Sequence, residues 1–201
     1  NLAQLLDLVA LGTIADVVPL DYVNRILVFQ GLSRIKSGHC CVGINSLIEI
    51  SGRNPKTLSA TDLGFAIGPR LNAAGRLDDM ALGIECLLSS DPIESKQMAQ
   101  QLDHLNKERK EIEAQMKSSA MSILTTLSDV EANATQSAVC LYDQQWHQGV
   151  IGILASRIKD KLNRPVIAFA KADHGYLKGS ARSISQIHIR DVLNDIATEN
   201  P

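Results

Sequence analysis

Aromatic side chains are scarce, at 3% of the 201 residues. A nucleic-acid surface built on base stacking needs several exposed rings, so the composition argues against one. The chain also carries no large excess of charge of either sign, because it has 20 Lys and Arg and 22 Asp and Glu. The resulting net charge of −2 argues against a uniformly basic coat, although it is compatible with a local basic groove.

Long apolar runs and metal-binding cysteine pairs are absent as well. Without a run of about 18 apolar residues, no transmembrane helix is expected. The four cysteines include no Cys-x-x-Cys pair, so their spacing argues against a zinc site and favours reduced thiols. The chain begins without Met inside an apolar helical pattern, which suggests a piece of a longer protein.

Three segments follow from the periodicity of the apolar residues. Residues 1 to about 90 are predicted to be mostly helical, with Leu2, Leu5, Leu6, Val9 and Ala10 on one helical face. A capping box at 59–62 is expected to open a helix that Gly68-Pro69 would end. Residues of about 92–127 predict one long helix, and those of about 136–201 predict strand–helix–strand–strand–helix, the opening of a small α/β domain.

Two motifs in the first segment carry candidate chemistry. In Gly12-Thr-Ile-Ala-Asp16, the carboxylate lies at the end of an element, where it is either a helix cap or a ligand of a divalent metal. The stretch from Gly68 to Arg76 combines little side-chain bulk with the donors of Arg70, Asn72 and Arg76. It is either an ordinary turn between helices or a phosphate-binding surface.

Two more motifs lie in the last segment. Trp146-His147-Gln-Gly149 precedes a helix whose N-terminus favours anions, and His147 would either contact a phosphate or cap the turn. In 179–183 (GSARS), Ser180 and Arg182 alternate with Ala181 at the end of a strand, a combination that suits phosphate.

The motifs occur in one order along the chain: 7–20 (DLVALGTIADVVPL), 68–77 (GPRLNAAGRL), 146–157 (WHQGVIGILASR) and 179–183. Together they resemble the RecJ family of bacterial single-strand-specific exonucleases, in the DHH phosphoesterase superfamily, over essentially the whole chain. The resemblance implies an α/β fold with three parts. Residues 1–91 would be the C-terminal part of a DHH domain, 92–135 a connector helix with a linker, and 136–201 part of a DHH-associated nucleic-acid-binding domain.

The resemblance also implies roles for individual residues. Asp16 matches the acidic position of the family's last metal motif and would be catalytic, with Asp7 as the less favoured alternative. The expected phosphate-binding residues are Arg70, Asn72 and Arg76 in the first segment and His147, Gly149, Ser180 and Arg182 in the last. The Asp-His-His motif, which supplies most of the family's metal ligands, is not in this sequence.

The implied activity of the whole protein is 5′→3′ hydrolysis of single-stranded DNA with two Mn²⁺ or Mg²⁺ ions, in DNA repair and recombination in the bacterial cytoplasm. Single-stranded DNA is the expected partner, together with a single-strand-binding protein and a helicase. Two alternatives stay open: a phosphoesterase acting on short oligonucleotides or cyclic dinucleotides, and a non-catalytic scaffold that holds nucleic acid.

Because most of the family's metal ligands are missing, the 201-residue chain alone is expected to be inactive. The measurement is release of nucleotides from a labelled single strand by the purified chain, with manganese added. Robust manganese-dependent cleavage would contradict this prediction.

Overall fold

A computed structural model describes residues 2–130 and 137–199. Its helices are α1 (Leu6–Ala15), α2 (Tyr22–Lys36), α3 (Val42–Ile50), α4 (Ala60–Asp62), α5 (Gly68–Leu77), α6 (Ala81–Leu88), α7 (Pro92–Val130), α8 (Ile151–Leu162) and α9 (Ile189–Glu199). Its strands are β1 (Val139–Tyr142), β2 (Val166–Lys171) and β3 (Leu177–Arg182). The predicted α/β class is confirmed. Residues 131–135, the end of the predicted connector and linker (92–135), lie outside the described ranges, as do residue 136 and the last two residues.

The chain divides into two compact units, Asn1–Arg109 and Lys110–Pro201, and their boundary falls within α7. The predicted long helix is present and extends three residues beyond its expected end, to Val130. None of the helices described has both the length and the apolar character that a membrane span requires.

In the first unit, α1 packs closely against α2 because small residues face each other. A Cβ added at Gly31 would overlap the Leu6 carbonyl oxygen and lie 2.5 Å from Ala10 Cβ. The buried residues of α1 are Asp7, Ala10 and Leu11. Of the apolar residues that share one helical face in the sequence, Leu2, Leu5 and Val9 are exposed. Two helices can pack this closely only where their facing side chains are small. The pattern of apolar residues in α1 does not show which of its sides that is.

The stretch from Ala60 to Leu77 runs through three helical elements without a break. The capping box is confirmed, since the Ser59 side chain accepts from Asp62 N–H and the Asp62 carboxylate accepts from Ser59 N–H. The expected stop at Gly68-Pro69 is wrong. Residues Leu63–Ile67 form a π-helical turn that leads directly into α5, with Pro69 in its first turn. The wider turn accommodates a proline that cannot donate a hydrogen bond to the preceding turn.

The second unit is built on a three-stranded sheet of order β1-β2-β3. β1 runs parallel to β2, and β3 is the antiparallel hairpin partner of β2, as predicted. α8 packs against β2 and β3. The buried hydrophobic residues are Met116, Ala120, Val139, Leu141, Trp146, Val150, Ile151, Leu154, Ala155, Ile158, Val166, Ala168 and Ala170. Helix α9 has the expected amphipathic sequence, but Val192, Leu193 and Ile196 stay exposed.

Replacing Gly31 by Ala should destabilise the first unit strongly. The new Cβ would overlap the Leu6 backbone, which cannot move as a flexible side chain can, so we expect a loss of about 1–3 kcal/mol or more. Gly12→Ala is the matched control in α1, because a Cβ there meets nothing within 4 Å. That change should be neutral or stabilise by up to about 1 kcal/mol through helix propensity. Urea denaturation of the two variants measures both effects, and equal stabilities would contradict the proposed packing.

Candidate nucleic-acid interface

The two motifs of the first unit are neighbours in space. A Cβ built at Gly68, where α5 begins, would lie 3.0 Å from Ala15 Cβ at the end of α1. One built at Gly64 would lie 3.2 Å from Ile14 Cγ2. The absence of side chains at Gly64 and Gly68 therefore lets this turn rest against the last turn of α1, beside Asp16.

Asp16 is an exposed residue that caps the C-terminal end of α1. The helix ends in a Schellman motif: Val17 N–H donates to the Ile14 carbonyl at 3.2 Å, and Val18 N–H donates to the Thr13 carbonyl at 3.1 Å. The left-handed position of that motif is held by Val17, with φ of 55°. A β-branched residue is unfavourable there, so the backbone next to Asp16 is strained.

The ends of α2 and α3 show the ordinary solution to the same geometry. Both close with the same hydrogen-bond pattern, and their left-handed positions are occupied by Gly38 and Gly52. Val17 is the exception among these three helix ends. Strained backbone of this kind is concentrated at functional sites, which supports Asp16 as the functional carboxylate of this region.

Asp7 has a different role from Asp16. Its side chain is buried, with Oδ1 accepting from Leu8 N–H at 2.9 Å and Oδ2 accepting from Cys41 N–H at 2.7 Å. Cys41 is the N-cap residue of α3, so the carboxylate ties α1 to the beginning of that helix. Both oxygens are engaged inside the protein, so the Asp7 carboxylate has a structural role in this unit.

Arg70 is held by a carboxylate of its own unit. Its Nε donates to Asp103 Oδ1 at 2.9 Å, and its Nη1 donates to the Ala66 carbonyl at 2.6 Å. Asp103 also pairs with Lys107 at 2.8 Å. Burial raises the pKa of Asp103, but the Lys107 hydrogen bond and the charge of Arg70 outweigh burial, and the pKa lies below its usual value. Arg70 thus joins α5 to α7, a contact that was not expected from the sequence.

Asn72 and Arg76 lie on a different side of α5 from Arg70. Both are exposed, whereas Leu71, Ala73 and Ala74 are buried. At 100° per residue, Asn72 and Arg76 are about 40° apart around the helix axis, and Arg70 is more than 100° from either. The three predicted phosphate-binding residues of this unit therefore form a pair and a separate, ion-paired arginine.

In the second unit, the loop between β1 and α8 is fixed by Asp143 and Ser119. Asp143 Oδ1 accepts from Gln145 N–H at 2.9 Å, and Asp143 Oδ2 accepts from Ser119 Oγ at 2.8 Å. Ser119 Oγ in turn accepts from Nε1 of the buried Trp146 at 3.3 Å. This network attaches the loop that carries His147 and Gly149 to the C-terminal half of α7.

His147 uses its ring inside that loop. Nδ1 accepts from Gly149 N–H at 3.1 Å, and the His147 carbonyl accepts from Val150 N–H at 3.0 Å. The structure therefore shows the capping role that was one of the two alternatives for His147. It also explains Gly149, whose N–H takes part in the same turn.

Ser180 and Arg182 lie over the first turn of α8. A Cβ added at Gly152 would lie 3.0 Å from both Ser180 Oγ and Arg182 Nη2. Arg182 Nη1 donates to Ser180 Oγ at 3.2 Å and to the Ala181 carbonyl at 2.8 Å. Because both acceptors are neutral, the positive charge of Arg182 adds to the partial positive charge at the helix N-terminus. The last two sequence motifs therefore meet at one site suited to an anion.

Two basic residues of α8 are paired with carboxylates. Arg157 Nε lies 3.1 Å from Glu113, and Lys159 Nζ lies 2.6 Å from Asp160.

Several residues of the interface were not found from the sequence. Gly152, Asp143 and Ser119 received no role. Ser119 interrupts the apolar spacing of α7 between Met116 and Ile123. That interruption was the available signal, because a polar residue in a buried stripe needs a hydrogen-bonding partner. The role of Asp103 could not be recognised in the same way, because acidic residues are common on a helix with many charged side chains.

The part of the chain that the structure describes holds no group of three or more His, Cys, Asp or Glu side chains placed to bind a metal ion. These residues do not by themselves fit a two-metal centre, which needs several converging oxygen or imidazole ligands. Thiol chemistry is also disfavoured at Cys40, because burial raises the pKa of its thiol to about 11.

Comparison with known proteins adds the family context. Residues 134–201 match the DHHA1 domain. The whole chain is 56% identical to the single-stranded-DNA-specific exonuclease RecJ of Dickeya dadantii and 54% identical to that of Escherichia coli. The resemblance to the RecJ family is confirmed. The chain spans 35% of the length of each of these RecJ proteins.

The fold agrees with that of RecJ. The crystal structure of Thermus thermophilus RecJ with Mg²⁺ matches 98% of this chain at 34% identity and a TM-score of 0.83, over 29% of its own length. A structure of exonuclease RecJ bound to manganese matches 96% of this chain with a TM-score of 0.77, over 46% of its own length.

Replacing Val17 by Gly should stabilise the first unit. Removing a left-handed β-branched residue releases about 1–2 kcal/mol, and the added freedom of the unfolded chain offsets less than about 1 kcal/mol of it. Val17 is 85% exposed, so little packing is lost. The reverse change, Gly52→Val, is the matched control, because Gly52 holds the same left-handed position at the end of α3. It should destabilise the first unit. Thermal melting of both variants tests this, and a Val17→Gly variant that melts lower would show that the strain is not there.

Proposed function

We propose that this chain is a segment of a RecJ-type nuclease that degrades single-stranded DNA from its 5′ end by hydrolysing phosphodiester bonds. The observation that carries the proposal is the 56% identity to a RecJ protein along all 201 residues. The site formed by Ser180, Arg182 and the N-terminus of α8 supports it, because that site suits the phosphate groups of a nucleic acid.

In this proposal, the second unit binds and orients the strand. The Arg182 guanidinium would donate to phosphate oxygens, with Ser180 Oγ and the start of α8 as further donors. His147 and Gly149 would act by shaping the loop that leads into α8. Such contacts hold a strand by its backbone and give no base specificity. In the first unit, Asn72 and Arg76 would offer donors to the strand, while Arg70 would hold α5 in place.

Asp16 would contribute one carboxylate to a centre for Mn²⁺ or Mg²⁺, the ions bound in the RecJ crystal structures. Two such ions activate water and stabilise the leaving oxygen in phosphodiester hydrolysis. Val17 holds the left-handed position that directly follows Asp16 at the end of α1.

We also propose the division into a DHH part (1–91), a connector (92–135) and a DHH-associated part (136–201). The same function would place the protein in the cytoplasm, in DNA repair and recombination, with a single-strand-binding protein and a helicase as partners.

The phosphate site is tested by Arg182→Ala and Gly152→Ala in the full-length protein. Loss of Arg182 should weaken single-strand binding equally for all base sequences and reduce its salt dependence. Gly152→Ala should keep the fold, since only side-chain ends face the new Cβ, but it should displace Ser180 and Arg182 and also weaken binding. The measurement is fluorescence anisotropy with strands of different sequence at several salt concentrations.

Arg164→Ala is the control, because Arg164 is an exposed arginine of the same unit outside the site. A loss confined to certain base sequences would contradict binding through phosphates. Comparing hydrolysis of a long single strand with that of a cyclic dinucleotide separates the exonuclease from a dinucleotide phosphoesterase, and cleavage of neither would favour a scaffold.

A further inference from the structure

A third side chain on β3 continues the line of Ser180 and Arg182. Side chains alternate between the two faces of a strand, so Lys178, Ser180 and Arg182 share one face. The register confirms this, because they pair with Ala170, Ala168 and Val166, whose side chains all point to the buried, α8-covered face. Lys178 lies at the outer edge of this face and is exposed.

Lys178 is available to an anion. Among the side chains that the structure describes, no carboxylate lies within ion-pair distance of its ammonium group. The lysine and arginine of α8 named above are paired with Asp160 and Glu113. Lys178 and Arg182 are thus two cations on one strand that pair with no carboxylate among the described side chains.

The spacing along β3 suits a chain of phosphates. Residues two apart on one strand face are separated by about 6.6 Å, or two rises of about 3.3 Å. Successive phosphates of an extended nucleic-acid strand are spaced by a similar distance. A strand lying along β3 could therefore place one phosphate at Ser180 and Arg182 and the neighbouring phosphate at Lys178.

We propose that Lys178 binds the phosphate next to the one held by Ser180 and Arg182, so that single-stranded DNA runs along β3. The inference rests on the proposed function and extends it by giving the path of the DNA strand across the second unit. Lys178 is a positioning residue that takes no part in bond cleavage.

The test uses the full-length protein, an oligothymidylate strand and a chelator that prevents cleavage. Lys178→Ala should lower the affinity and reduce the slope of log affinity against log salt by about 0.7, the value for one phosphate contact on a single strand. Lys178→Arg should restore both quantities. Lys171→Ala is the matched control, because Lys171 is an exposed lysine of the adjacent strand whose side chain lies on the opposite face.

The outcomes separate this inference from the proposed function. If Arg182→Ala weakens binding and Lys178→Ala leaves affinity and slope unchanged, the path along β3 is wrong and the phosphate site stands. If Lys171→Ala has the same effect as Lys178→Ala, the effect is one of net charge and the inference is overturned. If neither Arg182→Ala nor Lys178→Ala changes binding, both proposals fail.

Discussion

The buried carboxylate of Asp7 is the contact on which the arrangement of the first unit depends. Asp7 lies on α1, the helix that α2, the π-helical turn and α5 all contact. Its two oxygens accept backbone hydrogen bonds and join α1 to the start of α3. A buried carboxylate without these donors would cost several kcal/mol, so α1 and α3 are held in one relation. The position of Asp16, nine residues further along α1, follows from that relation.

In the second unit, the comparable constraint is the missing side chain of Gly152. It leaves room for Ser180 and Arg182 at the start of α8, where hydroxyl, guanidinium and helix terminus meet. Trp146 and Asp143 fix the preceding loop through Ser119. The site is therefore built from residues far apart in sequence, and each contributes geometry or charge that the others lack.

Elements with a strong local signal were predictable from the sequence. The capping box at Ser59, the long α7 and the β2–β3 hairpin all follow from spacing and turn residues. The inward face of α1 was not predictable, because close packing against Gly31 depends on a helix elsewhere in the chain. For the site, sequence reasoning selected Ser180 and Arg182 but could not reveal that Arg70 is bound by Asp103, since that pair joins α5 to α7 and has no local pattern.

The π-helical turn at Leu63–Ile67 has a consequence for how sequences of this kind are compared. A π turn contains one residue more than the α-helical turn it replaces, so residues before and after it are out of helical phase by one position. A relative that is α-helical throughout this stretch would be one residue shorter here. The gap of one residue in such an alignment belongs inside 63–67, and placing it beyond α5 would misassign every residue of α5, including Arg70 and Arg76.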